Sequence, residues 1–321
     1  MQLQRTSFKA MGSPCELRLY GERVRVAEAA RAAQAEVARL EAKYSRYRDD
    51  SLASRINRSA GDPGGIRVDD ETARLLDYAA TAWRESEGRF DITSGILRRV
   101  WSFKTGRVPA RAEVAALLPL IGWDKVVWQR PRIALPLRGM ELDFGGYVKE
   151  YAADLVAAKC RELGVRHGLV DLGGDLAAVG PHPDGRPWRI GVRDPRKPER
   201  ALAQLALFAG GIATSGDYER CMVVGGVRYG HILDPRSGWP ARGLASVSVI
   251  ADACLVAGTL TTCAMLRGAH GGAWLDALGA AALYVREDGT AGGRLLPHAA
   301  QPRTPHGRAP VADRSRRTAR A

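Results

Sequence analysis

Residues Ala213–Asp234 read ATSGDYERCMVVGGVRYGHILD and run on into PRSGWPA. The apolar run Met222–Gly226 ends in a Gly-Gly pair, the pattern of a strand that kinks and returns as a hairpin. Thr214-Ser215-Gly216-Asp217 reads as a turn that opens it. His231, Asp234, Pro235, Ser237 and Gly238 crowd its far end. A hairpin of this kind gathers hydroxyls, an imidazole and two carboxylates, groups suited to a phosphorylated ligand and a hydroxyl acceptor. The same residues also fit a polar hairpin on a surface.

Outward from this stretch, strands and helices mix. Gly168–Leu172, Trp188–Val192, Leu202–Phe208, Met222–Val227 and Ser246–Ile250 have strand character, as do Cys15–Tyr20 near the start and Ala282–Val285 near the end. Val26, Ala30, Ala33, Val37, Leu40 and Tyr44 recur at steps of three and four, one face of a helix. Asp69-Asp70 caps a second helix carrying Leu75, Leu76, Ala79 and Trp83, and Gly88 stops it. Glu113–Leu118 forms a short helix before Pro119. Val148, Tyr151, Ala152, Leu155, Val156, Lys159 and Leu163 mark another that ends at Gly164. A small-residue helix spans Ala257 to Arg267, and Trp274–Leu278 follows it. The order lacks regular βαβ alternation. The expected fold is α+β, with mixed sheets and packed helices in one domain over residues 1–297.

Composition narrows the function classes. The 321 residues carry 45% hydrophobic side chains, enough for a core. No run is long and apolar enough to span a bilayer, and the first residues lack a basic-then-apolar leader pattern, so the expected location is the cytoplasm. Five scattered cysteines without a CxxC pair argue for buried thiols rather than disulfides or a zinc site. Part of the net charge of +13 belongs to residues 298–321, an Arg- and Pro-rich segment expected to be a disordered tail. Only that tail supports nucleic-acid binding, so no nucleic-acid partner is expected.

Several short motifs carry chemistry. In Met140–Asp154, MELDFGGYVKEYAAD, Asp143 and Gly145-Gly146 precede a helix start, where backbone groups can approach a phosphate, and Lys149 adds a mobile positive charge. An ordinary capped helix fits that spacing too. Asp171-Leu172-Gly173-Gly174-Asp175 suits a tight turn beside a ligand and is not a dinucleotide fingerprint. Arg89-Phe90-Asp91-Ile92-Thr93-Ser94-Gly95 could hold a planar ring or place its Phe in the core. Ser45–Ser51 closes the first helix with dense polarity.

In order along the chain, MGSPCELRLY, SRYRDDSLASRIN, GRFDITSGIL, ELDFGGYVKEYAAD, VDLGGDLAAVG, WRIGVRDP, IATSGDYER and HILDPRSGWP resemble successive blocks of the ApbE family, the FAD:protein FMN transferases. The resemblance covers Phe8 to Gly268. It implies an α+β enzyme that uses Mg2+ to move the FMN half of FAD onto a threonine hydroxyl of an acceptor protein, with release of AMP. It places flavin contacts at Met11, Tyr47, Arg89, Phe90, Asp91, Asp143, Lys149 and Ile232. It makes the backbone of Gly146 and the side chain of Thr262 metal ligands, and His231 the group that deprotonates the acceptor, with Lys149 sharing the neutralisation of charge.

Two positions depart from the family pattern. Gly258 stands where the family has a metal-binding aspartate, one helical turn before Thr262, and Glu150 stands where it usually has glycine after the lysine. A hard cation that loses a carboxylate loses charge that water cannot replace. The metal is then expected to bind weakly, or through Asp217, Asp234 or the FAD phosphates, while Asp252, six residues upstream, is not on the same face of a helix beginning at Ala257. The departures leave open two rivals, a non-catalytic flavin-binding or flavin-trafficking homologue and an FAD pyrophosphatase.

Overall fold

The computed structural model describes residues 1–197 and 199–296. The basic segment 298–321 lies outside the described residues. In chain order the strands are β1 (Gln2–Ala10), β2 (Ser13–Gly21), β3 (Ile66–Arg67), β4 (Val127–Gln129), β5 (Arg132–Ala134), β6 (His167–Leu172), β7 (Asp175–Gly180), β8 (Trp188–Arg193), β9 (Ala201–Leu207), β10 (Gly211–Gly216), β11 (Cys221–Val224), β12 (Val227–Gly230), β13 (Leu244–Ala251), β14 (Ala281–Arg286) and β15 (Ala291–Gly292). The α-helices are α1 (Arg23–Tyr44), α2 (Leu52–Arg58), α3 (Asp70–Glu85), α4 (Arg111–Leu117), α5 (Val148–Glu162), α6 (Cys254–Leu266) and α7 (Gly271–Ala277). The expected α+β class and the mixture of sheets with packed helices are what the chain adopts.

Eight strands form one antiparallel sheet in the order β1-β2-β6-β7-β10-β13-β14-β15. Alternation along its central strands sorts side chains to two faces. Val170 and Leu172 of β6, with Ala177 and Val179 of β7, join the core built on Leu17, Leu19, Val37 and Val156, beneath α1 and α5. Leu169, Leu176 and Ala178 point the other way, onto Trp188, Leu205 and Leu207 of the β8–β9 hairpin. With both faces covered, β7 is buried along almost its whole length. Further along the sheet, Val247 and Val249 pack on Ala257, Ala264 and Leu275 of α6 and α7.

The opening hairpin is confirmed at its centre and corrected at its start. β11 and β12 pair antiparallel through Gly225-Gly226, both in the left-handed region that glycine tolerates (φ 57° and 77°). Thr214-Ser215-Gly216, expected as a turn, instead lies in β10, paired with β13. Ladder pairing overrides the local turn chemistry of Thr, Ser and Gly. The small-residue helix also starts earlier than expected, at Cys254 rather than Ala257. Its first N–H groups have no cap from Ala253. The Asp154 carboxylate of α5 accepts from the N–H groups of Cys254 (2.8 Å) and Leu255 (2.9 Å), so the cap comes from another helix. Four cysteines are buried, Cys221 is partly so, and all are free. No helix among the described residues is long and apolar enough to cross a membrane.

Candidate functional site

Three loops meet at the N-terminus of α5. The β1–β2 turn places Met11 at φ 49°, unusual for a residue with a side chain, followed by Gly12 at φ 74°. Beside it, the N–H of Gly173 in the β6–β7 turn donates to the carbonyl of Pro14 (3.1 Å). Lys149, in the first turn of α5, donates to the carbonyl of Leu172 (3.3 Å) and forms an ion pair with Asp175. The expected mobile cation is therefore tethered, because the largely buried Asp175 carboxylate needs a counter-charge.

Asp143 caps the turn before α5. Its Oδ1 accepts from the N–H of Gly145 (2.8 Å), and its other oxygen pairs with Arg46. The Asp143 N–H donates to the carbonyl of Ile92 (2.8 Å), which docks the segment Ile92–Arg99, a 3₁₀ helix, against the same place. Phe90 is buried, its ring edge-on to Tyr147 at 6.0 Å and 76°. The buried Asp91 accepts from the N–H and hydroxyl of Thr93 (2.8 and 2.6 Å) and from the N–H of Trp123 (2.9 Å). Burial pushes its carboxyl up from the ordinary range. Phe90 and Asp91 thus fix backbone rather than present themselves to solvent. Their neighbour Arg89 is half-buried and bonds Glu87 at 3.2 Å.

Tyr47 is the reverse case, an aromatic ring 80% exposed. Arg46 donates to its hydroxyl (3.0 Å) and lies over its ring at 5.1 Å. That hydrogen bond, with the nearby charges of Arg46, Arg98 and Arg220, holds the phenol below its usual range despite some burial. Arg220 also acts on His231. Burial first, then the Arg220 charge, lowers the His231 imidazole to about 4. Its Nδ1 is buried without a hydrogen-bond partner among the described residues. The ring is neutral at pH 7, in the form that accepts a proton. The exposed Arg220 guanidinium is thus within electrostatic reach of both Tyr47 and His231. Ile232 packs on the α6 side of the core.

The structure brings Met11, Tyr47, Asp143, Gly146 and Lys149 around the start of α5. Ile232 sits with α6, which carries Thr262, next to His231. The two groups join where α5 crosses α6. Sequence reasoning missed Arg46, Arg98 and Arg220 as members, since nothing local separates them from other surface arginines. No group of three or more His, Cys, Asp or Glu among the described residues could hold a metal. The expected substitutes for the missing aspartate are engaged elsewhere. Asp217 forms a two-pronged pair with Arg196 (2.7 and 2.8 Å), and Asp234 accepts from the N–H of Arg236 (2.9 Å) within its own loop. A groove of about 500 Å³ lined by Leu75, Tyr78, Tyr151 and Leu255 contains none of these site residues.

Comparison with known proteins bears on what the site belongs to. The ApbE family model matches residues 11–284. A Klebsiella pneumoniae FAD:protein FMN transferase is 33% identical over 284 residues, covering 87% of this chain and 84% of the relative. The ApbE protein of Thermotoga maritima superposes with a TM-score of 0.83 at 31% identity, over 91% of this chain and 97% of that one. The apo flavinyl transferase ApbE of Pseudomonas stutzeri gives 0.77 at 31% identity, over 90% and 93%. With a family match over most of its length and the same fold as these structures, the chain belongs to the ApbE family.

Proposed function

We propose that this chain is an Mg2+-dependent FAD:protein FMN transferase, which joins the FMN half of FAD to a threonine hydroxyl of an acceptor protein and releases AMP. The observation that carries the reading is His231, a partly buried imidazole that is neutral at pH 7, with its Nδ1 unpartnered among the described residues and the exposed Arg220 near enough to act on it. In this reading His231 takes the proton of the threonine hydroxyl. The freed oxygen forms a bond to the FMN phosphorus while the bond from that phosphorus to AMP breaks, and AMP leaves with the electron pair. The exposed Arg220 gives the approach a positive character suited to the pyrophosphate, while Arg46 and Arg98 are held nearby in ion pairs with Asp143 and Glu141.

The flavin side is assigned to Met11, Tyr47, Arg89, Asp143, Lys149 and Ile232, with Phe90 and Asp91 acting through the backbone that they fix. Tyr47 supports this with its free ring face, which suits stacking on a planar ring system. The Gly146 carbonyl and the Thr262 hydroxyl are the oxygen donors assigned to Mg2+, which when bound neutralises charge on the pyrophosphate. Gly146 is exposed, and no heavy atom lies within 4 Å of the place a Cβ would take there, so a cation can approach.

The test is incubation of the purified protein with FAD, MgCl2 and a threonine-bearing acceptor domain that a family transferase flavinylates. Denaturing-gel flavin fluorescence on the acceptor, with an equal amount of AMP released, is the expected result. AMP released equally fast without acceptor would instead mean a pyrophosphatase. FAD binding with no product under either condition would mean a flavin carrier.

A further inference from the structure

The two departures from the family pattern are one place in the fold. Glu150 lies in the first turn of α5 and Gly258 in the second turn of α6. A Cβ added at Gly258 would stand 2.7 Å from Glu150 Cγ, 3.1 Å from Cδ and 3.0 Å from Oε1. The Glu150 side chain therefore fills the volume that a side chain at 258 would need. Glu150 is 9% exposed, and its Oε2 is buried with no hydrogen-bond partner among the described residues.

A buried carboxylate oxygen without a partner is costly, and such a group calls for an explanation. The neighbouring polar groups do not supply one. The Lys149 amine is turned to Asp175 and Leu172. Asp154 is engaged by the first N–H groups of α6. The Tyr78 hydroxyl bonds Thr259 (2.8 Å), and Thr261 bonds Ser215 (2.9 Å) and the Gly258 carbonyl (2.8 Å). Thr262 lies one turn beyond Gly258, on the same face of α6.

We propose that Glu150 supplies the carboxylate ligand for the divalent cation of this site, reaching from α5 across Gly258 in place of an acid on α6. The inference rests on the transferase reading for the presence of a cation there. It turns the absence of a side chain at 258 from a lost ligand into the condition that lets Glu150 reach the site. A hard cation such as Mg2+ is commonly held by one or two carboxylates, other oxygens and substrate phosphates, which this arrangement can provide.

The experiment is Mn2+ binding to the full chain in the presence of FAD, read by the electron paramagnetic resonance signal of free Mn2+. FAD affinity is measured separately by flavin fluorescence without metal. Glu150→Gln keeps the shape and removes the charge. It is expected to weaken Mn2+ binding by about tenfold or more, with FAD affinity without metal unchanged. The exchange Glu150→Gly with Gly258→Asp is expected to restore binding to within a few-fold of wild type. Gly258→Asp alone is expected to lower the unfolding temperature, because its Cβ overlaps Glu150. Wild-type Mn2+ affinity in Glu150→Gln, or no Mn2+ binding by the FAD-loaded wild type, would overturn the proposal. Mn2+ binding that depends on Glu150, in a protein that transfers no FMN, would uphold it and remove the transferase reading instead.

Discussion

Acidification tests His231 without any substrate. The imidazole titrates near 6.5 in an unfolded chain and near 4 when folded, because burial and Arg220 disfavour its charged form. Between those values the unfolded state binds more protons, so stability falls as pH falls through that window. At pH 7 the ring is largely neutral in both states. At pH 5 it is mostly charged when unfolded and mostly neutral when folded, a difference of about 2 kcal/mol against folding. The assay is urea unfolding of wild type and His231→Asn from pH 5 to pH 8, taking the difference so that titrations common to both cancel. The wild type should lose about 2 kcal/mol more than the variant between pH 7 and pH 5. Its kcat/KM should show no acid limb near pH 6.5 from this residue, since that ratio reports the free protein. A pH-independent difference, or a wild type that gains stability on acidification relative to the variant, would refute the lowered pKa of this imidazole.

Three further outcomes separate the roles of neighbouring residues. Tyr47→Ala removes an exposed ring, so stability should move by less than about 0.5 kcal/mol, while FAD dissociation measured by fluorescence quenching should rise about threefold to tenfold. Asp91→Ala leaves three donors unmatched in the core and should cost about 2–5 kcal/mol in chemical denaturation; loss of FAD binding at unchanged stability would assign it a direct contact instead. Lys149→Met strands the Asp175 carboxylate and should cost about 3–5 kcal/mol, much of it recovered by Lys149→Arg. A Lys149→Met protein of wild-type stability would show that the lysine is not held by Asp175.

Much of the architecture is legible in the sequence where a single face is buried. The three-and-four spacing in α1 and α5 and the Asp69 cap of α3 are local signals, and the structure follows them. β1 escapes detection because it is an edge strand with no fully buried residue, so its alternation is weak. β7 escapes for the opposite reason: burial on both faces removes the alternation, and its small residues carry little strand signal. The start of α6 was shifted because its cap comes from Asp154, far away in sequence. The same limit applies to the site. His231 and the Asp143–Lys149 block stand out by residue type and spacing, whereas Arg46, Arg98 and Arg220 become members only through folding, in a chain with 48 basic residues. Glu150 and Gly258 are each visible as departures, but only the contact between α5 and α6 makes them a pair.

The most direct measurement is the intact mass of an acceptor domain after incubation with this protein, FAD and MgCl2. The account predicts a gain equal to one FMN phosphoester, placed on a threonine by fragmentation, and its disappearance in His231→Asn. An acceptor of unchanged mass, from a wild-type protein shown in the same sample to be folded and bound to FAD, would contradict it.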